Sequence, residues 1–302
     1  MMRLIHPCKL APALVLWLAL PWLGGGSAAA DSLEAAPSPV SYQHIARHNP
    51  NFSIHVVTID LGDPRVSARV ARGGPDPDGD GPWTTTLLPV SEIAAREGFD
   101  IAINGDFFIA KSTHDIEGPK TGYVRGLFAS PEGMAMTDGQ LWHRGTNGHP
   151  YLGITTNHLA RLFESGRTEP IAAGLCEIVA GGPMLVQDGK PLEYRSAFAT
   201  NRHPRTAAGL NRAGSRLLLI VVDGRQPKLS IGMNLHEVSQ EMMRLGCASA
   251  INLDGGGSTA LVYRDPATHA LKVLNSPSDT RERPVADALG ITVRAPLPAP
   301  KD

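Results

Sequence analysis

The 302-residue chain carries 28 Lys and Arg against 29 Asp and Glu, a formal net charge of −1 at pH 7, with 42% apolar and 19% charged residues. Gly (32) and Pro (25) together approach a fifth of the chain, where average usage is about 12%. Charge this sparse and balanced excludes a disordered polyelectrolyte, the lack of a Gly-X-Y period excludes a collagen-like rod, and no heptad composition points to a coiled coil. What remains is a globular protein with many tight turns, long enough to bury a substantial core.

Residues 1–30 read as a cleavable signal peptide. Arg3 and Lys9 accompany the apolar stretch Leu10–Leu23, and Ala28-x-Ala30 fits a small-residue cleavage site. The stretch is short for a membrane span. The expectation is a periplasmic or secreted protein with no stable membrane insertion after cleavage. Cleavage removes two basic residues and no acid, leaving a net charge of −3, so nucleic acid is not an expected partner. It also removes Cys8, leaving Cys176 and Cys247 either as one disulfide or as two buried thiols.

Residues 31–41, rich in Ala, Ser and Pro, read as a linker to a domain over 42–294. Ile54–Asp60 and Val66–Ala71 are β-branched runs separated by Leu61-Gly62-Asp63-Pro64, which predicts two strands paired through a turn. Asp76-Pro77-Asp78-Gly79-Asp80-Gly81 copies the start of an EF-hand loop. Position 12 is Leu87 rather than Glu, however, and it reads as an acidic surface turn. Ser91 is placed to N-cap a short helix ending at Gly98. Phe99–Ile103 is a short apolar strand, residues 110–150 are Gly-rich and irregular, and Met184–Val186 precedes an Asp188-Gly189 turn. Arg216–Val222 has the pattern of a strand buried on both faces. Leu235, Val238, Met242 and Leu245 recur at helical spacing, with Gly246 placed to end that helix. Ala248–Leu253 is again strand-like. The succession predicts a βαβ unit over 216–253 with parallel strands. Ala260–Tyr263 and Ala288–Val293 are further strands, and 295–302 reads as a disordered Pro-rich tail. The fold class expected is α+β or α/β, a mixed sheet core with flanking helices.

The chemistry-bearing residues stand at strand ends. Asp223 follows Val222, Asp254 follows Leu253, and Asn104 and Asp106 follow Ile103. In open α/β sheets that edge is where ligands bind, and neighbouring strands about 4.8 Å apart would let Asp223 and Asp254 share one site. The adjoining glycines permit close backbone approach; plain Asp-Gly turn chemistry is the bland alternative. Gly255–Thr259 is a candidate nest of N–H groups for an oxyanion. Arg205 is a candidate for bidentate phosphate recognition, or else an ordinary surface arginine. Gly255-x-Gly257-x-x-Ala260 matches a relaxed dinucleotide fingerprint, but strand-like Leu261-Val262-Tyr263 stands where that fingerprint needs a helix. His44 and His48 lack the Glu of a metalloprotease motif. No Gly-x-Ser-x-Gly elbow occurs. No metal or cofactor is expected.

These residues also carry a resemblance. Ala250-Ile251-Asn252-Leu253-Asp254-Gly255-Gly256-Gly257-Ser258-Thr259 closely resembles the signature of the phosphodiester glycosidase family. Asn104-Gly105-Asp106-Phe107-Phe108, the Gly181-Gly182-Pro183 strand, Arg205-Thr206-Ala207, Asp223-Gly224-Arg225, Gly232-Met233-Asn234-Leu235 with Glu237, Asn275-Ser276 and Arg283-Pro284-Val285 resemble further family elements in the expected order. The resemblance covers about residues 95–293 and implies hydrolysis of a sugar-1-phosphodiester at its glycosidic bond. On that reading Asp254 and Glu237 are the first catalytic carboxylates, as nucleophile or water-activating base, with Asp106 and Asp223 as alternates. Asn104, Gly182, Arg205, Thr206, Arg225, Asn252, Gly255, Gly256, Gly257 and Ser258 are the expected substrate-binding residues. A small-molecule or glycan phosphodiester is the partner. Carboxylates suit an oxocarbenium-like transition state, while a phosphate leaving group needs charge stabilisation more than a proton. The alternatives are a non-catalytic cell-envelope glycan-binding protein on the same fold, or a phosphodiesterase cutting the P–O bond.

Overall fold

The computed structural model describes residues 37–111, 123–145, 148–164, 171–295 and 297–298. The expected signal peptide, residues 31–36 of the expected linker, and residues 296 and 299–302 of the expected tail lie outside the described residues. In chain order the strands begin with β1 (Val40–Arg47), β2 (Phe52–Asp60), β3 (Val66–Arg72), β4 (Thr85–Thr86), β5 (Ile101–Asn104), β6 (Phe108–Ala110) and β7 (Phe128–Pro131). Then come β8 (Ala135–Thr137), β9 (Gln140–His143), β10 (Tyr151–Thr155), β11 (Ala160–Phe163), β12 (Leu175–Ala180), β13 (Met184–Gln187) and β14 (Lys190–Pro191). The last are β15 (Arg205–Leu210), β16 (Arg216–Val222), β17 (Ser249–Asn252), β18 (Leu261–Arg264), β19 (Leu271–Val273) and β20 (Asp287–Val293). Helices are α1 (Val90–Glu97), α2 (Ala197–Thr200) and α3 (Leu235–Arg244).

The strands form a seven-stranded sheet in the order β1-β2-β16-β15-β17-β13-β14 and a five-stranded sheet β19-β18-β5-β20-β3. A second five-stranded sheet, β11-β10-β12-β8-β9, and a small β4-β7-β6 sheet complete them. Every ladder among the described residues is antiparallel. The expected α+β or α/β class is therefore wrong: 42% of the described residues are strand and 10% helix. The expected βαβ unit over 216–253 fails for a specific reason. β15 lies between β16 and β17 and pairs antiparallel with both, so those two strands run the same way without touching as a ladder. Asp223 and Asp254 are not on neighbouring strands.

β15 is hard to see in the sequence because Arg205-Thr206-Ala207-Ala208-Gly209-Leu210 has weak strand propensity. The small residues are there for packing. A Cβ at Gly209 would stand 2.6 Å from Cys247 Sγ and 2.8 Å from Met242 Cε, on the α3 side of the sheet. By contrast, β16 reads as an unbroken apolar run because both of its faces are covered. Leu217, Leu219 and Val221 enter one core with Ile101, Ile103, Leu289 and Ile291 of the second sheet. Leu218, Ile220 and Val222 enter another with Leu235, Val238 and Met242 of α3. Each such fully buried aliphatic side chain is stabilised by about 1.5–3 kcal/mol relative to exposure.

Three local expectations also change. β2 and β3 are not a hairpin: β2 is flanked on both edges by β1 and β16, while β3 pairs with β20 in the other sheet. Ser91 does not cap α1. Pro89 holds the N-cap position, and Ser91 N–H donates to the Glu282 carboxylate (3.0 Å); Gly98 does end the helix, at φ 70°. Within 110–150, expected to be irregular, the chain makes β7, β8 and β9. Leu87, the twelfth position of the EF-hand-like stretch, is fully buried. Cys176 and Cys247 are both free thiols, and burial pushes the Cys247 thiol up to about 12. In the expected tail, Pro298 accepts a hydrogen bond from the Tyr263 hydroxyl (2.8 Å).

Candidate active site

Antiparallel pairing gathers strand ends from two sheets at one place. The end of β17 adjoins the start of β15 (Ala207 opposite Asn252), and the end of β5 adjoins the start of β20 (Asn104 opposite Ala288). Fully buried Asn104 stitches the two sheets together. Its Nδ2 donates to the Asp254 carbonyl (2.7 Å). Its Oδ1 accepts from Thr206 Oγ1 (2.8 Å) and Ala260 N–H (3.2 Å). Asp254 N–H donates to the Gly105 carbonyl (3.0 Å). Asp254 and Asp106 are thereby held one residue apart across the seam. Asn104 and Thr206, expected to touch substrate, instead position these carboxylates.

Behind them lies a third carboxylate, Asp287, at the head of β20 and fully buried. Asp106 N–H donates to Asp287 Oδ1 (2.9 Å), and a Cβ at Gly105 would stand 2.5 Å from that same oxygen. Burial, together with the charges of Asp106 and Asp254, pushes Asp287 well above the carboxylate range. Asp254 is also pushed up, to about 6, chiefly by burial. Hydrogen bonds from Ser258 and the Gly255 N–H and the charge of Arg283 oppose this shift. Asp106 Oδ2 accepts from Gly133 N–H (2.6 Å). Its Oδ1 is buried without a hydrogen-bond partner, 3.8 Å from His149 Nδ1. The Asp106 carboxylate pushes His149 above the ordinary histidine value, with help from Glu132, whose Oε2 is 3.8 Å from His149 Nε2. Two carboxylates pushed up by burial, Asp254 and Asp287, beside Asp106 and an imidazole are a usual acid–base constellation. Among the described residues no group of His, Cys, Asp and Glu is arranged to hold a metal ion.

Other expected site residues fall elsewhere. Glu237 closes the capping box of α3: its Oε2 accepts from Asn234 N–H (2.9 Å) and from Arg202 Nε (3.0 Å). Burial raises its pKa, but the bonds from Arg202 and Asn234 outweigh that and hold the carboxyl low. Its carboxylate is engaged by the helix cap and by Arg202. Asp223 sits at the expected sheet edge but all its acceptors are taken. Ser53 Oγ (2.8 Å) and His55 Nε2 (3.3 Å) meet Oδ2, while Ser276 N–H (2.7 Å) and Asn275 Nδ2 (3.3 Å) meet Oδ1. It anchors the 275–276 segment.

Arg205 is buried rather than presented to a ligand. Its Nε donates to the Met233 carbonyl (3.0 Å), and its Nη2 to those of Phe198 (2.7 Å) and Asn201 (2.9 Å). Burial lowers its pKa to about 10. The glycine nest is likewise mostly spent: Gly255 N–H donates to Asp254 Oδ1 (2.8 Å), Gly256 N–H to the Pro204 carbonyl (2.9 Å) and Ser258 N–H to the Gly255 carbonyl (3.2 Å). The cations beside these glycines are Arg225 and Arg283. A Cβ at Gly256 would stand 3.0 Å from Arg225 Nη2, and one at Gly257 would stand 2.1 Å from Arg283 Nη2. Arg283 is held by Asp279 Oδ2 (2.8 Å) and stacks 4.8 Å from the Tyr123 ring. Asn252 Nδ2 donates to the Gly182 carbonyl (2.7 Å), fixing the 181–183 segment at the same edge.

Asp287, His149 and Glu132 escape a sequence reading altogether, and Arg283 enters it only within the Arg283-Pro284-Val285 element, without a site role. Asp287 precedes an apolar run as if it were only a loop residue, and a polar residue leading a strand buried on both faces is its one sequence signal. His149 and Glu132 stand in a Gly-rich stretch without periodicity.

A family model for phosphodiester glycosidases matches residues 97–292. The Bacillus subtilis (strain 168) SPbeta prophage-derived uncharacterized protein YomE is 35% identical over 128 residues, 40% of this chain and 18% of that protein. The Bos taurus N-acetylglucosamine-1-phosphodiester alpha-N-acetylglucosaminidase is 27% identical over 184 residues, 57% of this chain and 33% of that protein. The chain thus spans a third or less of the length of these relatives. In solved structures the fold is shared with the zebrafish catalytic domain of that enzyme, auto-inhibited by its pro-peptide. The TM-score is 0.58 at 22% identity, over 85% of this chain and 83% of that one. A hypothetical protein from Synechocystis gives a TM-score of 0.61 at 17% identity, over 86% of this chain and 64% of that one. The match over residues 97–292, joined to the ordered motifs at this sheet edge, places the chain in the phosphodiester glycosidase family.

Proposed function

We propose that the chain is an exported hydrolase that cleaves the glycosidic bond of a sugar-1-phosphodiester, releasing free sugar and a phosphomonoester. One observation carries the reading: Asp254 and Asp106 meet at the seam of two sheets, with Asp287 behind them favouring its protonated form. Asp254, at about 6, is mostly ionised at neutral pH. It either attacks the anomeric carbon or takes the proton of the water that does. The C1–O bond breaks, its electron pair leaves with the phosphate, and water supplies the hydroxyl that the sugar gains. Ionised carboxylates stabilise the positive charge that develops on the sugar ring. The departing phosphate is a weak base and needs cations more than an acid. Arg225 and Arg283 beside Gly256 and Gly257 suit that task, in place of the buried Arg205. Asp106 Oδ1 is a ready acceptor for a sugar hydroxyl.

Export is supported by the basic-then-apolar segment before Ala28-x-Ala30 and by a fold shared with a Burkholderia pseudomallei protein assigned as exported (TM-score 0.59, 18% identity). No helix among the described residues is long and apolar enough to cross a membrane. The test is incubation with UDP-sugars and methylphospho-sugars. Free sugar plus phosphomonoester, lost in Asp254→Asn, supports the reading. Sugar-1-phosphate as product overturns it in favour of P–O cleavage. No product from any member of the panel favours a glycan-binding role.

A further inference from the structure

An open pocket of about 440 Å³ adjoins Asp106 through Phe107 and His149. Its walls include Phe107, Phe198, His149, Glu132, Gly182 and Pro183. Phe107 follows Asp106 directly, and its ring meets Phe198 edge-on at 5.9 Å and His149 at 6.3 Å. Phe198 is 42% exposed, although it stands on one of the shortest helices. An aromatic ring left open to water on the wall of a pocket beside a carboxylate offers its face to a ligand. Its position is also well braced: the Phe198 carbonyl accepts from Arg205 (2.7 Å), and the guanidinium lies 4.8 Å from the ring. Two of the acceptors Arg205 engages, Phe198 and Asn201, lie in or next to α2, so the buried arginine fixes this ring in place.

We propose that the Phe107–Phe198 pocket is the sugar subsite, taking a pyranose ring with its C–H face on Phe198 and its hydroxyls toward Glu132 and His149. This rests on the hydrolase reading above, because the substrate's own connectivity orients it. In a sugar-1-phosphodiester the phosphorus is one oxygen away from the anomeric carbon. With the phosphate at Arg225 and Arg283, beyond Asp254, the aglycone continues away from the carboxylates. The sugar takes the other substituent side of the reacting carbon, and the pocket that adjoins Asp106 through Phe107 and His149 is there to receive it. The lining agrees. Aromatic faces beside a carboxylate and an imidazole suit a ring with one apolar face and a rim of hydroxyls, whereas an alkyl aglycone would desolvate Glu132 with nothing in return. Phe198 and Glu132 are thus specificity-determining residues, and Arg205 is a positioning residue acting through Phe198.

The experiment measures binding rather than turnover. Methyl hexopyranosides, methyl phosphate and octyl phosphate are titrated calorimetrically, at concentrations up to tens of millimolar, into the full chain and into Phe198→Ala, Phe198→Leu and Glu132→Gln. At least one pyranoside is expected to bind, with affinity falling about tenfold in Phe198→Ala and Glu132→Gln, while methyl phosphate binding is unchanged. Phe198→Leu keeps an apolar cover over Arg205. A circular-dichroism melt of that variant matching the parent, with sugar binding still weakened, separates ring stacking from loss of fold. The proposal is overturned if no pyranoside binds, if Phe198→Ala leaves sugar affinity intact, or if it weakens octyl phosphate instead. Pyranoside binding in this pocket without hydrolysis of any phosphodiester would sink the hydrolase reading alone; hydrolysis with an unchanged KM in Phe198→Ala would sink the subsite alone.

Discussion

Replacing Asp254 by Asn should abolish turnover and yet stabilise the protein. The side chain is ionised at neutral pH in a place that disfavours its charge, beside Asp106 and Asp287. Its pKa, displaced from the ordinary 3.8 to about 6, corresponds to roughly 3 kcal/mol at 1.36 kcal/mol per unit. Asp254 is partly open to solvent, so screening reduces this to about 1–2 kcal/mol. Asn keeps the Oδ1 acceptor for the Gly255 N–H (2.8 Å) and removes the charge, which also relieves Asp287.

The sign of the pH dependence follows from the folded state holding its proton more tightly than the unfolded one. Below about pH 4 both states are protonated and no charge is buried, so parent and variant differ little. As pH rises from about 4 to about 6, the unfolded parent releases its proton before the folded parent does, and parent stability is lost. Above about pH 7 the difference levels off. Urea unfolding at half-unit intervals from pH 4 to 8 should show the variant's advantage growing over that window. In thermal melts at pH 7.5 it should amount to about 3–6 °C for a domain of this size. An advantage that is flat across the range, or a variant less stable than the parent at pH 7.5, would show that Asp254 is not a strained charge.

Further predictions follow from the same contacts. Glu237→Ala should lose about 1 kcal/mol in urea unfolding, the worth of a helix cap, with kcat unchanged; a loss of kcat would restore Glu237 to the site. Arg205→Met should destabilise by about 3–5 kcal/mol, because three buried carbonyls lose their donor, and unfolding curves would report this before kinetics do. Arg283→Ala should raise KM for phosphodiesters. It should also move the acidic limb of the pH–rate profile upward, since the guanidinium now holds Asp254 below where burial alone would put it; an unmoved limb would remove Arg283 from the site. Gly105→Ala puts a methyl group 2.5 Å from the Asp287 carboxyl. It should cost about 1–3 kcal/mol and depress kcat by displacing Asp106, whereas a wild-type rate would mean that Asp287 does not position Asp106.

What the sequence shows of this molecule depends on how locally each feature is determined. β16 and α3 are legible because Leu217–Val222 must be apolar on both faces, and because Leu235, Val238, Met242 and Leu245 recur at helical spacing before Gly246. β15 is not legible: Ala207 and Gly209 are small to fit against Cys247 and Met242, a requirement set by residues about thirty to forty positions away. Missing that one strand turned an antiparallel sheet into an apparent βαβ unit. The site divides in the same way. Asn104, Asp106 and Asp254 stand out as polar residues at the ends of apolar strands. Asp223, Arg205 and Glu237 stand out just as clearly, and nothing local distinguishes a carboxylate whose acceptors are all taken by Ser53, His55, Asn275 and Ser276 from one left partly unpaired. That distinction rests on hydrogen bonds spanning 52 to 170 residues.

The glycines beside these acids have the same non-local origin. Gly105, Gly181, Gly224 and Gly255 all lie outside the positive-φ region, so turn geometry does not demand them. Each instead faces an atom a Cβ would strike: Asp287 Oδ1 at 2.5 Å, the Asn252 carbonyl oxygen at 2.4 Å, Pro204 N at 2.6 Å and the Pro204 carbonyl oxygen at 2.7 Å. These glycines let strand ends pack backbone on backbone or carboxylate, and at Gly105, whose carbonyl accepts from Asp254 N–H, the two sheet edges converge. That convergence sets Asp106, Asp254 and Asp287 within reach of one another's charge. A Cβ at Gly105 would displace the Asp287 carboxyl, weaken the coupling and let Asp254 and Asp287 return toward ordinary carboxylate behaviour. The glycine at position 105 and the raised pKa values of Asp254 and Asp287 are therefore two consequences of one close contact.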